Sequence, residues 1–115
     1  MPIPSEFQAL IAQINQELDE TEHQALQALD LLRQVMSRFP NNAVLIQFFA
    51  YFNAALFFVE NSRRRIQTTV EELSTINIAA EVIQESGEDL AALLGEMLEA
   101  KIRGRNIITR LENLQ

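Results

Sequence analysis

The sequence predicts an all-α fold built from long helices, and three observations carry that expectation. Proline stands only at positions 2, 4 and 40, so every residue after Pro40 is free to be helical. Glycine occurs three times in 115 residues, and the rest is rich in the helix formers Ala, Leu, Gln, Glu and Arg. Apolar residues recur over long stretches at alternating steps of four and three, the spacing of a helix packed along one seam.

The first helix is predicted over about residues 5–39. Phe7, Ile11, Ile14, Leu18, Thr21, Ala25, Ala28, Leu32, Val35 and Phe39 form its seam, as in a coiled coil. Ser5 reads as the N-cap after Pro4, and Pro40-Asn41-Asn42 stops the helix. A second helix is predicted over about 42–74. Its first half, AVLIQFFAYFNAALFFV, is apolar all round, so it must be covered all round. A membrane span is the competing reading of that stretch. Gln47, Asn53 and the want of a basic flank at its start favour a buried central helix and no membrane partner. The third helical region is predicted over about 77–113. Residues 74–88 read two ways, as a continuation of the second helix or as a separate short one. Ser86-Gly87-Glu88-Asp89 resembles a fresh N-cap, so a break near 86–88 stays open. From Leu90 the seam resumes through Leu94, Met97, Lys101, Gly104, Ile108 and Leu111, with Lys101 and Gly104 expected to loosen or bend it.

Charge lies in alternating blocks. Residues 1–32 hold six acids and no Lys or Arg, 33–70 five arginines and one acid, 71–99 eight acids and no base, and 100–115 four bases and one acid. Folding the chain back at Pro40 brings together residues whose numbers sum to about 81. Arg63, Arg64 and Arg65 then face Glu17, Asp19 and Glu20 across a long antiparallel hairpin. A hairpin with a further C-terminal helix or helices in the same single domain cannot cover both sides of the aromatic segment. A helical bundle completed by homo-oligomerisation is therefore expected, a dimer first, with Ile46, Tyr51, Phe57 and Phe58 at the interface.

The same composition bears on function. With no cysteine there are no disulfides, thiolate metal sites or thiol nucleophiles. The net charge of −7 argues against phosphate-backbone binding, so no nucleic-acid partner is expected. The start, MPIPSEF, has neither the basic nor the apolar region of a secretory signal, and a cytoplasmic location is expected for this acidic protein.

Two patterns could carry metal chemistry. Glu20-x-x-His23 has the ligand spacing of ferritin-like di-iron bundles, but the seam turns both residues outward. The stretch LLGEMLEAK, 93–101, resembles the metal-binding helix of the all-α nucleoside triphosphate pyrophosphohydrolases, which implies a Mg²⁺ site. Leu93 and Leu94 stand where that family carries an acidic pair, and no second acidic helix motif completes the site. No metal, cofactor or catalytic residue is therefore assigned. Lys101, Arg103, Arg105 and Arg110 form a basic group read as a docking surface for an acidic protein partner. The leading expectation is a non-catalytic interaction protein, an adaptor, regulator or assembly factor acting as a homodimer. A metal-dependent helical enzyme and a carrier of an apolar ligand are the alternatives.

Overall fold

The computed structural model describes residues 3–74 and 79–114, and all the regular structure among them is helical. Three helices follow one another: α1, Ser5–Met36; α2, Ala43–Leu73; and α3, Ala80–Asn113. They lie side by side in a bundle 59 Å long and 18 by 17 Å across. The reading of Thr75, Ile76 and Asn77 as a cap or a continuation falls outside the described residues.

The helix ends follow local chemistry. At the start of α1, Pro4 rather than Ser5 is the N-cap, its carbonyl accepting from the backbone N–H of Phe7 and Gln8 at 3.0 and 3.1 Å. Proline has no N–H to waste there and its fixed φ suits a helix entry. At the other end α1 stops at Met36, three residues short of Phe39. The residue before a proline is pushed out of the α region, so the helix unwinds ahead of Pro40. For α2 the N-cap is Asn42, read from the sequence only as part of the stop to the first helix. Asn42 Oδ1 accepts from the N–H groups of Val44 and Leu45 at 3.0 and 3.1 Å, a device worth ~1 kcal/mol.

No break interrupts α3 at residues 86–88. Ser86 is buried in the seam rather than capping a helix, and Gly87 lies under the ring of Phe7. A β-carbon at position 87 would stand 2.9 Å from Phe7 Cζ. A helical glycine costs ~1 kcal/mol, and packing against α1 offsets it here. Nor is α3 interrupted at Gly104. That glycine is buried and lets α3 approach Gln24 of α1, whose Nε2 donates to the Lys101 carbonyl at 3.0 Å.

The seams explain the packing. In α1, Ile14, Leu18, Thr21, Ala25, Ala28, Leu32 and Val35 are all buried, as their four-three spacing demands, whereas Phe39 is half exposed. In α2 the buried residues Leu45, Phe52, Val59, Ile66 and Leu73 recur every seven, the period of helices that coil left-handedly around each other. In α3 the seam runs through Leu90, Met97, Gly104 and Leu111, but Leu93 and Ile107 are buried where Leu94 and Ile108 were expected. Two apolar clusters result. One joins Ala25–Val35 with Leu45, Phe52, Ile107 and Leu111; the other joins Ile14 and Leu18 with Val59, Ile66, Leu90, Leu93 and Met97. Along α1, Thr21 falls between them. Its hydroxyl and that of Ser62 are buried without a hydrogen-bond partner among the described residues.

Candidate interaction surface

The seven-residue repeat of α2 turns one side of the helix inward and leaves the other uncovered. Phe52 is 1% exposed, Phe57 is 67% exposed, and Ile46 and Val44 are about half exposed. By length and composition α2 is apolar enough to cross a membrane, yet only 17% of its most apolar window is buried within the chain. The all-round cover expected for this apolar segment is thus only half built by one copy. Phe48, Phe49, Tyr51 and Leu56 pack at the edge of the first cluster, and Phe58 at the edge of the second.

Of the four residues proposed for an interface, Ile46 and Phe57 stand open, whereas Tyr51 and Phe58 are half-buried beside α3. With Ala54, Ala55 and Ala100 they line an open groove of about 240 Å³ between α2 and α3, rimmed by Glu96, Glu99 and Arg103. The Tyr51 hydroxyl donates to the Ala100 carbonyl at 3.3 Å, and its ring meets Phe52 edge-on at 5.1 Å. Burial pushes the Tyr51 hydroxyl above its usual pKa, and the charge of Arg103 opposes that. A second groove, of about 330 Å³, opens further along the same two helices beside Arg64, Arg65, Thr68 and Asp89. Sequence reasoning missed both grooves, because they depend on how far α3 stands from α2.

The charge pairing differs from the expected block match. Arg63 bridges Asp19 at 2.8 Å and Glu22 at 2.6 Å, which ties α2 to α1 near the expected level. The hydrogen bonds that Arg63 donates to both carboxylates, Glu22 first, raise its pKa further. Arg64 instead pairs within its own helix with Glu60, at 2.8 Å, and Arg65 lines the second groove. A helix turns 100° per residue, so three consecutive arginines cannot face one neighbour. Glu17 and Glu20 belong to α3: Lys101 Nζ lies 3.0 Å from Glu17 Oε2 and 2.7 Å from Glu20 Oε2. The hydrogen bond from Lys101, with its charge, holds the Glu20 carboxyl below the usual range. The same contacts, Glu20 before Glu17, raise the Lys101 ammonium.

This pairing removes Lys101 from the expected docking surface, since its charge is spent on α1. The remaining cations divide. Arg103 and Arg110 are seven residues apart on one side of α3, and Arg105 lies roughly opposite, two residues or ~200° from Arg103. All three are exposed. The structure therefore splits the expected basic group into an α1-bound lysine and two separate arginine sites. Exposed Leu98 and Ile102, four apart on α3, add an apolar strip that the seam-based reading passed over.

The metal patterns also have definite places. His23 is exposed, while Glu20 is drawn sideways to Lys101 rather than standing beside it as a ligand. Leu93 is buried in the second cluster, and Glu96 and Glu99 lie exposed at the first groove. Among the described residues no three Asp, Glu or His side chains gather closely enough to hold a metal ion. No family model, no curated protein and no solved structure matches this chain.

Proposed function

We propose that this chain is a non-catalytic interaction protein, an adaptor, regulator or assembly factor, that works as a homodimer. The observation that carries the reading is the uncovered apolar side of α2, which holds Ile46 and Phe57 in water at 49% and 67% exposure. An apolar strip of this kind marks a surface that another molecule covers. Covering it with a second copy needs no further component and gives a closed two-fold assembly. The exposed Arg103 and Arg110 then offer a separate docking point for an acidic partner protein. Light scattering at micromolar concentration tests the homodimer: it should return twice the 13.1 kDa chain mass. A mass that stays at one chain across dilution would refute it.

The Ala- and aromatic-lined groove favours the apolar-ligand carrier as a second reading. Native mass spectrometry of protein purified from its host would show a retained small molecule in that case.

A further inference from the structure

We propose that two copies of this chain meet through the outer side of α2, with the two α2 helices antiparallel and residues 51–52 level with the two-fold axis. The proposal rests on the homodimer reading and names its interface.

The first argument is shape. The outer stripe of α2 reads Ile46, Ala50, Ala54, Phe57, in size large, small, small, large. All four are exposed. Such a stripe reads the same in reverse. An antiparallel copy sets Ile46 against Phe57 of the second copy and Ala50 against Ala54 of the second copy, and the midpoints of the two pairs fall within half a residue of each other, at 51.5 and 52. The alanines let the helix backbones come close, and the large residues close the two ends. Asn53, beside the stripe, already donates one of its two amide N–H groups to the Phe49 carbonyl at 3.1 Å.

The second argument is charge. Between Arg38 and Glu60 the chain carries no acidic or basic side chain, so an antiparallel contact centred on 51–52 buries no charge along its length. A parallel contact would instead set the exposed Arg64 and Arg65 against their own copies, a like-charge juxtaposition that costs affinity. The antiparallel register also brings Glu60 of the second copy level with Ala43 and Val44. There the first turn of α2 has no acidic residue of its own to complement its free N–H groups. Sign and shape select the same orientation.

The absence of native cysteine makes the register directly testable. Ile46→Cys and Phe57→Cys should form little disulfide dimer when oxidised separately, because equal positions stand about 17 Å apart along the axis in this register. Mixed and refolded together, they should cross-link at least ten-fold more. A parallel pair would reverse this, each variant cross-linking to itself, and would overturn the interface. Ala54→Arg gives an independent readout, since Ala54 is exposed and its substitution leaves the chain's own core intact. It should halve the mass by light scattering with full helical circular dichroism. A wild-type mass of twice 13.1 kDa with no gain on mixing would overturn this register while leaving the homodimer standing. A wild-type chain that stays monomeric, or that leaves solution for phosphatidylcholine vesicles as a monomer, would overturn both.

Discussion

Gly104 of α3 lies directly under the side-chain amide of Gln24 in α1. A β-carbon at position 104 would enter the space that Gln24 Oε1 occupies and would stand 3.4 Å from Phe52 Cε1. The same Gln24 holds the Lys101 carbonyl through its Nε2. The glycine that looks like a weak point in α3 is thus where α1 and α3 approach closely.

Two glycines of one helix should therefore respond with opposite signs. Gly104→Val should destabilise by ~2 kcal/mol, because the added carbons meet Gln24 and Phe52 at a packed seam. Gly95→Ala should stabilise by up to ~1 kcal/mol, since a β-carbon there meets nothing within 4 Å and alanine favours the helix. Urea titrations of the two variants decide the matter. Equal effects would mean that Gly104 is not a contact point.

The buried hydroxyls of Thr21 and Ser62 lack partners among the described residues, and an unmet buried polar group costs ~1–3 kcal/mol. Thr21→Val and Ser62→Ala should each raise stability by ~1 kcal/mol in denaturant titration. A loss at both positions would show that the hydroxyls are satisfied in solution.

The ion pairs predict selective coupling. In a double-mutant cycle, Arg63→Ala with Glu22→Ala should show a coupling energy of ~0.5–1 kcal/mol that shrinks with salt. Arg65→Ala with Glu20→Ala should be additive, because Glu20 is held by Lys101. Coupling in the second cycle and none in the first would restore the block match that the sequence alone suggests.

The Glu20–Lys101 contact also sets a pH dependence. The folded pKa of Glu20 lies below its ordinary 4.5, so its contribution is complete above that value and is lost as pH falls through the folded pKa. The folded pKa of Lys101 lies above its ordinary 10.5, so its contribution is present below 10.5 and fades only as pH rises through the folded value. Stability measured from pH 6 down to pH 3 should therefore fall less steeply in Glu20→Gln than in the parent. Parallel curves would show that the contact does not persist in solution.

Phe57→Glu should separate the interface from the chain's own core. At 67% exposure Phe57 supports little of the fold within one copy. The variant should keep its helical circular dichroism and lose the dimer mass. An unfolded or aggregated product would place Phe57 inside the core after all.

What the sequence determined by itself was everything set by local periodicity and chain chemistry. The scarcity of Gly and Pro, the stop at Pro40 and the four-three seam of Ile14, Leu18, Thr21, Ala25, Ala28, Leu32 and Val35 depend only on neighbours along the chain. They were legible for that reason, as was the apolar excess of α2 beyond what one side could bury. Tertiary structure decided whatever turns on the distance and rotation between helices. Gly87 and Gly104 read as breaks by propensity, and became contact points once Phe7 and Gln24 lay over them. Leu93 and Ile107 are buried in place of Leu94 and Ile108 because the angle at which α3 meets two partners chooses between adjacent residues. Charge blocks identified neighbouring helices, but only the rotation of each helix could send Glu17 and Glu20 to Lys101 and leave Arg63 to Asp19 and Glu22. A one-dimensional pattern specifies which side of a helix is apolar; which neighbour covers it depends on three-dimensional packing that no single segment encodes.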